Sequence, residues 1–406
     1  MPLALLSLLF SCTSSKPLER TGSPGSDSGQ PGEDTASPSD TATGSDSGTP
    51  GSTTLTHLTT WVMDPGTHRP ELAITSSGDL LVIVVEHLEI DEGQTSHMGY
   101  RFDKDFTPVI DPFVVAMDTE EYGHPADHRI ALVDDELLVV YQSLIADPDA
   151  ESGGGPAEAS ALEQSLLLVR LDPSSGTELG REPIAPHVTD FTVDNFPDHC
   201  VLWYEDRLLV STGTQSEPGT IADTLRIREV DPQASWPDNV LATHTLHAST
   251  DTLPSVIGNS LLLGPDGGLW MWGATGPHET AELKAAPLDE DFTLGASTGF
   301  GATDWEQTFP TGVLLTGDEF WVGHSARDRG GSSDLIDNPY SPRLMRVSAD
   351  LSEVIEDEAI ATEVPGAGHV HPTLARSSDR LYLAWSRLSD GHTPQVVIEV
   401  FEISGD

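Results

Sequence analysis

Six segments of the chain share one grammar: a proline, an apolar run, a polar turn, and a second apolar run. The clearest copy runs from Gly368 to Ser386, with Pro372 leading, Asp379 in the turn, and Arg380-Leu-Tyr-Leu-Ala-Trp385 as the second run. The others are led by Pro70, Pro125, Pro197, Pro254 and Pro310, and successive prolines are 55, 72, 57, 56 and 62 residues apart. A unit of that length cannot bury its apolar faces alone, so neighbouring copies must pack on one another.

What lies between the copies repeats as well. Ser165–Leu171, Leu225–Val230 and Arg343–Val347 are apolar-rich strands that run into short acidic turns at Asp172-Pro173, Asp231-Pro232 and Ala349-Asp350. Asp103-Lys104-Asp105 and Asp289-Glu290-Asp291 do the same in the first and fourth copies. Asp, Pro and Gly suit tight turns, which accounts for these acids without a ligand. Each copy then supplies four strands, and six such units predict an all-β fold, a six-bladed β-propeller of four-stranded antiparallel blades. No long helix is expected; residues 157–164 are read as a helical turn or two inside a long loop.

The two ends of the repeat region complete each other. Thr54 to Met63 alternates apolar and polar residues, the mark of a half-buried strand. After Trp385 only Gln395–Ile403 remains for the last unit, one strand too few. The first strand is therefore expected to join the last blade, closing the ring over residues 55–406 and removing two exposed edges.

Ahead of the repeats, Met1 to Ser11 is apolar apart from serine, and too short to span a bilayer. Leu9-Phe-Ser-Cys12 resembles the end of a bacterial lipoprotein signal, with an aliphatic residue three before the cysteine and a small one directly before it. That resemblance implies cleavage before Cys12 and lipidation of its thiol, which makes residues 1–12 an export signal. Residues 13–54 are Ser, Thr, Gly, Pro and Asp with few apolar groups, so they are expected to stay disordered and act as a tether. The implied address is the outer membrane or cell surface of a Gram-negative bacterium.

The chain carries 66 acids against 19 bases, a net charge of −47. Only six of those acids and two of those bases fall in residues 13–54, so the acidity belongs to the globule. Such a field repels nucleic acid and anionic membrane. The membrane is thus a partner through the lipid alone, and the globule is expected to be a monomer. Of the two cysteines, Cys200 lies in an apolar run and reads as a buried free thiol; its neighbour His199 raises a catalytic cysteine as the alternative, although adjacent strand residues point to opposite faces.

The proline-led units also resemble the six-bladed propellers grouped around bacterial sialidases. The Ser-x-Asp-x-Gly-x-Thr-Trp turn common in those proteins is absent, and Arg69-Pro70 only partly matches their first arginine. The resemblance implies the fold and, more distantly, a carboxylate held by three arginines, for which Arg129, Arg327, Arg329 and Arg387 are the available companions. Gly-x-Ser-x-Gly, His-Glu-x-x-His and phosphate-cradling glycine loops do not occur.

In a propeller the inner strands begin, and the second strands end, on one face, which is the default site. The residues placed there are His68, Arg69, His124, His128, His199, His324, His371 and Arg387. Their imidazoles are read first as repeated packing or hydrogen-bonding groups. The competing reading is a divalent metal, calcium or zinc, with His124 and His371 as ligands. For catalysis the carboxylates to consider are Glu71, Asp127, Asp198 and Glu306. Trp203, Trp270, Trp272, Trp321 and Trp385 are assigned to the space between blades, leaving Trp61, Trp236 and Trp305 to stack on a sugar. The leading expectation is a binding or scaffold module for a carbohydrate or protein; the alternative is a glycoside hydrolase or lyase using the same face.

Overall fold

The computed structural model describes residues 53–89, 94–117, 119, 124–146, 162–188, 195–214, 224–247, 259–275, 282–300, 305–328, 340–360, 371–388 and 393–404. The lipoprotein-like segment, Cys12 and the tether lie outside these. Every regular element among the described residues is a strand, and the strands form six four-stranded antiparallel sheets.

Strand β1 (Thr54–Val62) comes first and is set aside for the end of the ring. Blade 1 holds β2 (Thr67–Ile74), β3 (Leu80–Glu89), β4 (Gln94–Phe102) and β5 (Phe113–Met117). Blade 2 holds β6 (His124–Val133), β7 (Glu136–Ala146), β8 (Leu162–Asp172) and β9 (Thr177–Val188). Blade 3 holds β10 (Asn195–Tyr204), β11 (Arg207–Thr214), β12 (Thr224–Val230) and β13 (Val240–His247). Blade 4 holds β14 (Asn259–Leu263), β15 (Leu269–Thr275), β16 (Glu282–Leu288) and the two-residue β17 (Thr298–Gly299). Blade 5 holds β18 (Trp305–Thr316), β19 (Glu319–Asp328), β20 (Ser341–Ser348) and β21 (Val354–Ala359). Blade 6 holds β22 (Thr373–Arg376), β23 (Arg380–Leu388) and β24 (Pro394–Ser404), with β1 as its outer strand. The structure is a six-bladed β-propeller closed as expected: Thr54 faces Ser404 and Val62 faces Val397.

Six hydrophobic clusters fill the six seams between blades. Leu72, Val82, Ala384 and Ile398 close the seam of blades 6 and 1, and Ile83, Val139 and Tyr141 the seam of blades 1 and 2. Trp272, Trp321 and Trp385 are at most 1% exposed, filling seams as expected. A buried Leu, Val or Phe contributes about 1.5–3 kcal/mol, so seam burial outweighs any single ion pair in holding the ring. Trp61, one of the tryptophans left to stack on a sugar, is half-buried, packing edge-on to Phe102 at 4.6 Å and stacking on Phe106 at 5.0 Å. The helical turn read at residues 157–164 is also corrected in its described part: Leu162–Gln164 begins β8, because Leu162 pairs with Ala146 across the blade.

The acidic turns do the local work assigned to them. The Asp103 carboxylate accepts from the backbone N–H groups of Asp105 and Thr107, and Asp289 accepts from those of Asp291 and Thr293. Asp172, Asp231 and Asp350 each accept from the N–H two residues on. These turns, like the hairpins joining first to second strands, lie at the end of the propeller opposite the starts of the inner strands.

Candidate functional site

The proline that leads each copy does not mark one structural position. Counting back from each hairpin, one rung of the six inner strands holds Glu71, Arg129, Cys200, Ser260, Gly312 and Thr373, paired with Ile83, Val140, Ser211, Trp272, Gly323 and Ala384. The rung before it holds Pro70, His128, His199, Asn259, Thr311 and Pro372. In five of the blades Arg69, Asp127, Asp198, Pro310 and His371 come one residue earlier. Register breaks separate proline from rung in blades 1, 2, 3 and 5, between His68 and Glu71, Pro125 and His128, Asn195 and Cys200, and Thr308 and Gly312. Such bulges re-aim side chains at the rim of a sheet.

Two of these rungs stitch blade to blade. His128 Nε2 lies 3.3 Å from the Ile83 carbonyl oxygen and His199 Nε2 lies 3.0 Å from that of Val140, the same position one blade on. Both rings are fully buried. Ser260 Oγ donates to the Pro310 carbonyl and Thr311 Oγ1 to the Pro372 carbonyl, each at 2.6 Å. The Arg69 N–H donates to Ser386 Oγ at 2.8 Å, joining blade 1 to blade 6. At Gly312 a Cβ would come within 2.9 Å of Thr373 Cα, so the backbone of blade 5 lies too close to blade 6 for any larger residue. His128 and His199 thus serve the packing role preferred for them, and neither lines an open surface.

At the junction of blades 1 and 2 the rungs bring four charges together. Arg129 Nη1 lies 3.2 Å from Glu71 Oε1 and 3.4 Å from Asp127 Oδ1, and it donates to the His128 carbonyl at 2.8 Å. Arg69 Nη1 lies 3.7 Å from Asp127 Oδ1. The two carboxyl oxygens on Arg129 are therefore no further apart than the sum of its two contacts. Asp127, Arg129 and Glu71 are 2%, 6% and 8% exposed, whereas the Arg69 side chain is 34% exposed. Arg69 also has φ of 49°, a left-handed backbone that an arginine adopts only when its surroundings impose it.

Burial splits the two acids. Glu71 is pushed up to about 7 because removal from water outweighs the pull of Arg129, with Asp127 adding to the rise. Burial would raise Asp127 too, but the Arg129 and Arg69 guanidiniums, helped by His199 and His371, hold it well below the usual carboxylate range. One acid therefore still holds a proton in a large share of molecules near neutrality, beside one that stays ionised. On the same rung in blade 3, Cys200 Sγ lies 2.8 Å from Ser211 Oγ, and burial pushes its thiol up to about 11, which leaves it unsuited to nucleophilic work.

Several expected residues lie elsewhere. His324 is fully buried and points outward, its Nε2 3.2 Å from Asp357 Oδ1 on β21, where Arg343 also binds. Burial notwithstanding, His324 and Arg343 lower Asp357 to about 2. Arg387 donates to Gln395 Oε1 at 3.0 Å, within its own blade. Arg327 sits over the Tyr340 ring at 4.8 Å. His68 and His371 are half-buried near the axial face. The side chains of His124, Asp198, Glu306 and Trp305, and all of Arg329, lie outside the described residues. Among the described residues no group of three or more His, Cys, Asp or Glu stands close enough to hold a metal ion. Arg129, missing from the leading sequence candidates, becomes visible once the copies are aligned by hairpin rather than by proline.

No family model matches the chain, and no curated protein matches it in sequence. Solved structures do match in shape. A protein of unknown function from Dyadobacter fermentans superimposes with a TM-score of 0.62 at 11% identity, over 86% of this chain and 99% of that one. Trypanosoma rangeli sialidase superimposes with a TM-score of 0.53 at 10% identity, over 83% of this chain and 55% of the enzyme. The chain thus spans little more than half the sialidase. At these identities the likeness is one of fold: a sialidase-like propeller architecture.

Proposed function

We propose that this chain is an exported, lipid-anchored binding module that takes a carbohydrate or protein ligand on the axial face where the inner strands begin. The observation that carries this reading is the state of the charges there. Glu71, Asp127 and Arg129 pair with one another out of water, and of the four charges Arg69 is the one that extends a guanidinium to solvent, from a strained backbone. A cation held in place by a buried ion cluster is suited to recognition, because little of its freedom remains to be lost on binding.

The direction of the first strand supports the anchor. Thr54, where the tether would join, is level with Ser404 at the end opposite the axial face. A lipid on Cys12 would then leave that face turned away from the membrane. A random coil of the tether's length would hold it roughly 35 Å off. The matching of Leu9 to Cys12 with lipoprotein signals supports an address at the outer membrane or cell surface.

A glycoside-cleaving reading has one observation in its favour: Glu71, raised to about 7, beside ionised Asp127 is how a pair of carboxyl groups divides acid and base roles. The deciding experiment probes an array of glycans and peptides with the purified chain and with Arg69→Gln, and assays each bound glycan for cleavage. Binding that falls at least about tenfold in Arg69→Gln, without cleavage, is expected for loss of a charge-assisted contact. Cleavage abolished by Glu71→Gln would replace the binding module with the enzyme, and binding indifferent to Arg69 would remove the site.

A further inference from the structure

Away from the axial face, where the closing strand meets blade 1, a groove of about 370 Å³ opens between β1 and the β4–β5 turn. Leu58, Trp61 and Phe106 supply its apolar lining, and Lys104, Asp105 and Arg380 its charges. The register of β1 against β24 breaks between His57 and Thr59, and Leu58, at that bulge, is 45% exposed. Trp61 is fixed by its stack on Phe106 and its edge contact with Phe102, so one wall of the groove is rigid.

The groove gathers two of the chain's few bases. With acids outnumbering bases 66 to 19, arginines readily find carboxylates: Arg101 holds Asp79, Arg170 holds Glu136, Arg207 holds Glu229 and Arg346 holds Glu319. Lys104 and Arg380 form no ion pair among the described residues; Arg380 Nη1 donates to the Lys104 backbone carbonyl, and its guanidinium also hydrogen-bonds the Tyr382 hydroxyl. Two cations thus line one aromatic-walled groove, with Asp105 as the only acid among the lining residues. An anion in the groove would be attracted by both cations.

We propose that this groove is a second binding site, specific for a small organic anion that carries an apolar or aromatic body. The aromatic wall and Leu58 take the body, while Lys104 and Arg380 take the charge. A volume of this size falls within the range of small-molecule sites, roughly 300–1,000 Å³. The site is independent of the axial face and of any lipid anchor.

The probe for the test is 8-anilinonaphthalene-1-sulfonate, an aromatic ring system with one sulfonate, titrated by fluorescence into the full-length chain. One molecule per chain is expected to bind, with affinity lowered more than about tenfold in the Lys104→Gln/Arg380→Gln double variant, since each close charge contributes at least a several-fold factor. Arg380→Lys restores part of the loss. Leu58→Ser, at an exposed position that leaves folding intact, lowers affinity several-fold and keeps the test valid if the double variant fails to fold. The neutral analogue N-phenyl-1-naphthylamine binds more weakly than the sulfonate. No saturable binding, equal affinity in the double variant, or equal affinity for the neutral analogue overturns the proposal.

Discussion

Replacing Glu71 by glutamine tests the buried ion cluster through its dependence on pH. In the folded protein the Glu71 carboxyl is raised from an ordinary 4.5 to about 7 by burial. Below pH 4.5 it is protonated whether the chain is folded or not, and its contribution to stability is fully present. As pH rises from there, the unfolded chain loses the proton while the folded chain retains it, so stability falls until about pH 7. Each tenfold difference in proton affinity is about 1.4 kcal/mol. The folded chain is therefore expected to lose on the order of 3 kcal/mol through this one group. Urea unfolding followed by tryptophan fluorescence at about pH 4.5 and about pH 7 measures it, and comparison with Glu71→Gln cancels every other titrating group. The variant should gain on the native chain by about 3 kcal/mol between the two pH values. If the unfolding free energies of the native chain and of the Glu71→Gln variant run parallel against pH, Glu71 is not held protonated and the division of roles with Asp127 fails.

Two further outcomes follow from the same rungs. Arg129→Met removes the nearer of the two guanidiniums from buried Asp127, leaving the more distant Arg69 and the His128 N–H, so it should cost about 3–5 kcal/mol in urea unfolding; adding Asp127→Asn should recover part of that loss, and an additive double variant would contradict the coupling. Cys200, buried and raised to about 11, should resist a thiol-specific disulfide reagent at about pH 8 in the folded chain and react at once in denaturant; rapid reaction without denaturant would show the seam of blades 3 and 4 to be open.

The ring was legible because its signals are local and repeated. Apolar runs, acidic turns and the spacing of the prolines all report strand and hairpin, and the surplus strand at Thr54–Val62 matched the deficit after Trp385. The site was legible only in part. Glu71, Asp127 and Arg69 were named from their nearness to the prolines, yet the contacts among them depend on bulges that insert different numbers of residues between proline and hairpin. A bulge has no firm signature in one sequence, so Arg129 stayed out of register with Glu71. His128 and His324 show the other limit: periodicity places an imidazole on a strand, but its partner, the Ile83 carbonyl or Asp357, comes from a neighbouring blade or an outer strand. The neighbours of Trp61 were hidden for a like reason, since Phe102 and Phe106 reach it from blade 1 across the closing seam.

Closure of the ring by the first strand is the claim on which both sites depend, and one cross-link tests it. Thr56 and Glu402 face each other across β1 and β24, both exposed. In a Cys12→Ser background, Thr56→Cys with Glu402→Cys should oxidise to a disulfide within one chain, seen as a faster-migrating band that reducing agent abolishes, because directly opposed strand residues meet the geometric requirement of the bond. A chain that stays reduced, or that links only to a second copy, would show that β1 does not complete the sixth blade.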